Sequence, residues 1–252
     1  MDSALQLTIL TAAGFIGGLV DSIAGGGGLI TLPALLWAGL PPHLALGTNK
    51  LQSSFGSLTA TVSYIQNDVV VLRDEWPGVV LTLIGAAAGT ISVQLIDADF
   101  LRVFIPYLLT AVLIYTVAKP KLGQAAGRQR MSKLLFYLVF GLGLGFYDGF
   151  FGPGAGSFWT VAMLLFLGVD FVAATGRTKL MNFTSNFTAL VVFLIGGNVV
   201  FTLGLAMGLG QMIGARVGSG MVIKRGAGFI RPVFLTMVLL VTLKLWWDAI
   251  VR

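Results

Sequence analysis

The stretch VDSIAGGGGLITLPALLWAGL, residues 20–40, sets an acidic residue and four consecutive glycines inside an otherwise apolar run. Only 12 residues, Leu29 to Leu40, separate the glycines from the prolines at 41 and 42. At 1.5 Å rise per residue such a piece covers about 18 Å, short of the roughly 30 Å hydrocarbon core of a bilayer. It is therefore expected to be a half-helix or one arm of a re-entrant hairpin.

The rest of the chain is lipid-soluble in composition. Of 252 residues, 56% are hydrophobic and 10% charged, and mean hydropathy is +0.92, where soluble domains carry about a quarter charged residues. The first basic residue is Lys50, so the N-terminal segment lacks the charged start of a secretory signal and is read as a retained span. No cysteine and a single histidine, His43, leave no disulfide, thiolate site or histidine cluster. The net charge of +6 sits mostly in short loops, as topology signals do.

Full-length spans are expected at Leu5–Ala24, Leu44–Ile65, Pro77–Ile96, Leu101–Ala118, Leu134–Phe151, Val172–Ile195, Thr202–Val222 and Ile230–Ile250. Ser157–Gly168 is the second short piece. Both short pieces follow similar sequence, GFIGGLVDSIAGGGG from Gly14 and GLGLGFYDGFFGPGA from Gly141. Asp21, Gly25 and Gly27 match Asp148, Gly152 and Gly154 at an offset of 127. Lys50, Gly85, Gly89, Phe100 and Arg102 match Lys179, Gly214, Gly218, Phe229 and Arg231 at an offset of 129. The chain thus reads as a duplication: a first transmembrane repeat over residues 1–118, a basic linker over 119–133 and a second repeat over 134–252.

Residues 118–133 carry five Lys or Arg and no acid, which places them in the cytoplasm by the positive-inside rule. Residues 224–231 should face the same way, and the acidic 97–99 outside. Those placements require each short piece to return the chain to its starting side. The expected fold is an all-α polytopic membrane protein of about eight spans and two broken or re-entrant helices, in two inverted repeats with both termini outside.

Polar residues inside spans need a reason, since a buried charge costs at least about 3 kcal/mol on insertion scales. Lys244 sits close enough to the chain end to snorkel, and Arg216 is either a structural tie or a gate. Asn49, Ser53 and Ser57 recur every four residues, as do Thr178, Asn182 and Asn186, so each set lies on one helix face. That face turns toward a hydrogen-bonded seam or a cavity, and the adjoining Lys50 and Lys179 favour a cavity. Helices starting at the glycines, from about Gly28 and Gly156, would present free N–H groups and a positive dipole end to an anion. Candidate anion-binding residues are Lys50, Lys179, Asn49, Ser53, Thr178, Asn182, Gly27, Gly28, Gly154 and Gly156. Asp21 and Asp148 either pair with the lysines, cap the half-helices or carry protons; a cation bound by both is a further alternative. The sequons at Asn182 and Asn186 fall on a buried face, and GGGG lacks the Gly-Lys-Ser/Thr ending of a phosphate loop.

DSIAGGGGLITLPAL, LGTNKLQ, GFYDGFFGPGAGSF and TKLMNFTSN resemble segments of the TauE/SafE sulfite exporter family, also called the toluene-sulfonate uptake permease family. The resemblance covers nearly the whole chain and is closest to bacterial inner-membrane members. It implies two homologous halves and transport of small anions, often sulfite, sulfonates or sulfoacetate. Pro153 stands where the first copy has Gly26, so the two hairpins should differ in backbone shape. The expected activity is secondary anion transport by alternating access, with no enzymatic chemistry and no cofactor. Expected partners are a small anionic substrate and the lipid bilayer, with room for a homo-oligomer and no nucleic acid. A cation carrier or channel built on Asp21 and Asp148, or a membrane scaffold, is the alternative.

Overall fold

The computed structural model describes residues 3–101, 103–105, 107 and 128–250, with side chains through 225. Most of the expected span Leu101–Ala118, the match at Arg102, linker residues 119–127, and the side chains of Phe229, Arg231 and Lys244 lie outside the described residues. No strand occurs among the described residues. The helices are α1 (Ser3–Ala24), α2 (Gly28–Trp37), α3 (Pro42–Gln66) and α4 (Leu72–Gln94), then α5 (Lys133–Phe150), α6 (Ala155–Leu167), α7 (Phe171–Ile195) and α8 (Phe201–Ile250). The short pieces begin at Gly28 and Ala155, behind glycine tips that break the chain.

Local signals set these ends. Pro42 occupies the first turn of α3, where its missing N–H costs nothing, and the Asp170 side chain caps α7 by accepting the Ala173 N–H at 2.9 Å. Helices α3 and α7 both have 25 residues, about 37 Å, enough to cross a bilayer. Four helices are also apolar enough to span by composition: α1, α4, α5 and α7. The more polar α3 is covered by α1, α7 and α8, so lipid does not meet its polar face. The two last expected spans, 202–222 and 230–250, lie instead on one continuous helix, α8. Glycine costs a helix only about 1 kcal/mol relative to alanine, and neither Gly226 nor Gly228 interrupts it.

Glycine contacts fix the relative directions of the six longer helices. A Cβ on Gly14 or Gly18 would strike the main chain of Met207 or Gln211, and one on Gly210, Gly214 or Gly218 would strike Thr11, Phe15 or Ser22. Residue numbers rise together, so α1 and α8 run parallel. Gly85 and Gly89 meet Leu142 and Phe146 in the same way, so α4 and α5 run parallel. Gly204 and Gly208 lie on Leu51 and Phe55, aligning α3 with α8, while Gly78 lies on Met181 and Gly196 on Gln94, aligning α4 with α7. Across the centre numbers run oppositely: Gly47 faces Phe193 and Gly176 faces Tyr64, so α3 and α7 are antiparallel. Helices α1, α3 and α8 therefore point one way and α4, α5 and α7 the other. The halves are inverted.

Parallel α1 and α3 require α2 to bring the chain back. It does so: Gly27 lies against Gly17 and Asp21, and Gln6 Nε2 donates to Ala38 O at 3.1 Å near the start of α1. The second hairpin closes likewise, with Arg130 and Met131 N–H donating to Phe166 O just before α5. Arg128, Arg130 and Lys133 at the start of α5 thus share a side with Lys224 and Arg225 on α8, the side that the positive-inside rule assigns to the cytoplasm. Arg216 is exposed beside Met212, Ile213 and Val217, two turns short of that side, within snorkelling reach of it.

Small residues at these seams let backbones touch, which drives helix association where no hydrophobic effect operates. Gly214→Val would push a Cβ to 2.0 Å from Phe15 O and is expected to cost roughly 1–3 kcal/mol, read as a lowered Tm in detergent. Gly143→Ala and Gly220→Ala, whose Cβ atoms meet nothing within 4 Å, should leave Tm unchanged or slightly raised.

Candidate functional site

The two hairpin tips meet tip to tip. Gly25 and Gly152 take positive φ, +77° and +98°, to turn the chain out of α1 and α5, conformations for which glycine is the default. A Cβ on Gly25 would lie 2.3 Å from the carbonyl carbon of Gly156, and one on Gly28 3.0 Å from the Cα of Pro153. The tips differ as Pro153 requires: Gly154 is left-handed at φ +83°, whereas Gly27 is right-handed at φ −56°.

A cleft opens where the tips meet the polar faces of α3 and α7. Asp21, Asn49, Ser53, Asp148, Asn182 and Asn186 line it, together with glycines that include Gly28, Gly154 and Gly156. Among the described residues the amides of those three glycines have no hydrogen-bond acceptor. Asn182 is 4% exposed, and its side-chain oxygen has no partner. Asn49 Oδ1 accepts from Thr31 Oγ1 at 2.7 Å and from Gln52 Nε2 at 2.8 Å, and Ser53 Oγ accepts from the same Gln52 nitrogen at 2.9 Å.

Four expected site residues, Thr178, Lys50, Lys179 and Gly27, stand behind the wall. Thr178 pairs with Thr160 at 3.1 Å, the counterpart of the Asn49–Thr31 contact. Lys50 and Lys179 are fully buried and pair with aspartates across the halves: Lys50 with Asp148 at 2.7 Å and Lys179 with Asp21 at 3.0 Å. Gly27 holds its amide 3.4 Å from Asp21 Oδ1. The net positive potential expected from the lysines is therefore cancelled wherever both pairs are ionised, leaving the helix starts as the positive feature of the cleft. Each lysine sits about 12 Å from the start of its helix, so Lys179–Asp21 lies toward the cytoplasmic side and Lys50–Asp148 toward the other.

One charged cluster escapes the sequence reading. Glu75, 1% exposed, accepts from Lys133 at 2.9 Å and Tyr137 OH and pairs with Arg177 Nε at 3.3 Å, tying α4, α5 and α7 at their cytoplasmic ends. In sequence it stands in LRDEWP, which reads as a solvated helix start with acids suited to the dipole; its burial depends on helices far along the chain. At the matched positions the other half has Gly204 and Thr48, so the cluster belongs to one side only.

Removing one member of a buried pair costs roughly 3–5 kcal/mol, whereas replacing both by apolar residues is close to neutral. Asp148→Asn should therefore lower Tm by many degrees in detergent, and Lys50→Met combined with Asp148→Leu should regain most of that loss.

The family model described as "Sulfite exporter TauE/SafE" matches residues 10–245. The chain is 43% identical over 249 residues to a probable membrane transporter protein of Haemophilus influenzae, covering 98% of each chain. It is 42% identical to the probable membrane transporter protein YfcA of Escherichia coli K12, covering 99% of this chain and 93% of the relative. A third relative, the probable membrane transporter protein ORF9 of Sinorhizobium, is 42% identical over 242 residues, covering 96% of this chain. No solved structure matches. With helices of spanning length, a broken hairpin in each half and this match over nearly its whole length, the chain belongs to the TauE/SafE family and is a multi-pass bacterial membrane transporter.

Proposed function

We propose that the protein carries a small oxyanion of the sulfite or organosulfonate class by alternating access of its inverted halves around the cleft. The observation that carries this reading is the set of unpartnered amides at Gly28, Gly154 and Gly156, at the opposed starts of α2 and α6. Helix starts with free N–H groups near mid-membrane favour anionic oxygens. Asn49, Ser53, Asn182 and Asn186 surround them with further hydrogen-bonding groups. The Asn182 side-chain nitrogen, beside Gly156, adds two donors. Lys50 and Lys179 stand behind this wall, each paired with an aspartate of the other half.

The cleft has a volume of about 20 Å³, enough for about one water molecule. Accommodating an oxyanion of four or more heavy atoms requires the tips to part, and inversion of the halves supplies two equivalent ways of parting, one toward each side. The family's description names sulfite, while the close relatives are named only as transporters, so the substrate class is the proposal.

A second reading has its own observation: both carboxylates line the cleft and both lysines do not. A cation bound there would have to displace an ammonium from each aspartate. No group of three His, Cys, Asp or Glu assembles among the described residues. The anion is the better fit.

Purified protein in liposomes should take up sulfite or a small sulfonate. Asn182→Ala should weaken uptake about tenfold at low substrate, the loss of roughly one strong hydrogen bond, with Tm little changed, whereas Asn49→Ala should weaken uptake similarly and also lower Tm, because it takes the acceptor from Thr31 and Gln52. Cation flux that Asp21→Asn and Asp148→Asn abolish, without anion uptake, would establish the second reading instead.

A further inference from the structure

The two lysine–aspartate pairs occupy matched positions but are not equally committed. An ammonium has three donors. Those of Lys50 meet three acceptors: Asp148 Oδ1 at 2.7 Å, the main-chain oxygen of Asp148 and Asn186 Oδ1 at 3.1 Å. Lys179, equally buried, meets one among the described residues, Asp21 Oδ2 at 3.0 Å.

The carboxylates show the same difference. Asp148 has Lys50 on one oxygen and the Ser185 hydroxyl on the other. Asp21 has Lys179 on one oxygen and, on the other, only the Gly27 amide at 3.4 Å. The Asp148 side chain is 4% exposed and that of Asp21 18%.

The cause lies in the sequence. Where the second copy has Ser185 and Asn186, the first has Gly56 and Ser57. Gly56 offers no side chain, and Gln211 packs into the space. Ser57 turns back to donate to Ser53 O at 2.7 Å on its own helix. The main-chain oxygen of Asp21 is taken by the Gly25 amide at 2.8 Å, whereas that of Asp148 goes to Lys50.

We infer that Lys179 is the cation that receives the transported anion, that Asp21 is its resident and displaceable counterion, and that Lys50–Asp148 is a strut. The carboxylate of Asp21, with one oxygen on an ammonium and the other near the hairpin amide of Gly27, holds the place of two oxygens of a small oxyanion. Substrate entering the cleft, which Asp21 lines, exchanges with that carboxylate on Lys179 and uses the two donors it leaves unspent. Lys50 has none to give. This assignment rests on the anion reading above and separates two lysines that the sequence treats alike.

Sulfite binding to the purified full-length protein, measured by calorimetry, tests it. Asp21→Asn removes the competing charge and should tighten sulfite binding at least tenfold; Asp21→Ser serves if the asparagine variant does not purify. Lys179→Gln should abolish binding. Ser185→Ala loosens the strut and should lower Tm while leaving affinity within twofold. An Asp21 variant that binds no more tightly than the unchanged protein, or a Ser185→Ala affinity change as large as that of Asp21→Asn, overturns the assignment. Absence of sulfite binding in both the unchanged protein and the Asp21 variants overturns the anion reading beneath it.

Discussion

An aspartate near the C-terminal end of a membrane helix is disfavoured twice, by loss of water and by the negative end of the helix dipole. Asp21 on α1 and Asp148 on α5 both stand there. What makes them tolerable is a lysine from the opposite half, Lys179 for the first and Lys50 for the second. Much else follows from this exchange. It holds each hairpin tip against the long central helix of the other half and keeps α3 and α7 together at the centre. It also places the start of each half-helix where its amides face the same small cleft. Desolvation makes such pairs poor sources of net stability. Their value here is in specifying which tip meets which helix.

Glycine completes the arrangement by removing side chains from between backbones. At the tips it supplies the left-handed turns of Gly25 and Gly152 and lets the two tips touch. Along α1–α8 and α4–α5 it brings main chains into contact. In lipid those contacts stand in for the apolar burial that holds soluble domains together.

Much of this was legible in the sequence. Span lengths separate the half-helices from the full helices, and the matched positions of Asp, Gly and Lys reveal two copies. Basic loops predict that residues 128–133 and 224–225 share one side, as the glycine contacts then display. The four-residue stripes of Asn49 and Ser53 and of Asn182 lead directly to the cleft wall. The less legible part concerns partners rather than elements. A stripe tells which face is polar but not which side chain stands in front, so Thr178 and the lysines read as wall residues although they stand behind it. Asn186 reads as one more member of a stripe, and only in three dimensions does it share Lys50 with Asp148. Glu75 is hidden for the same reason, because three helices that meet only in the folded protein remove it from water. The unbroken course of α8 through Gly226 and Gly228 has no sequence signal, since the residues that interrupt other helices do not interrupt this one.

The pairing of α1 with α8 has a consequence in time. These helices are the first and the last of the described chain, and the glycines of each are shaped for the other. At roughly 5–20 residues per second of synthesis, α8 leaves the ribosome on the order of 10–40 s after α1. For most of that interval Asp21 has no Lys179, which waits for α7, and throughout it the small-residue face of α1 lacks its α8 partner. Helix α5, by contrast, meets α4 as soon as it emerges. Helix α1 is thus among the last of the described helices to find its place, and whatever shelters it meanwhile, lipid or insertion machinery, is met by a helix carrying a single acid and a row of glycines.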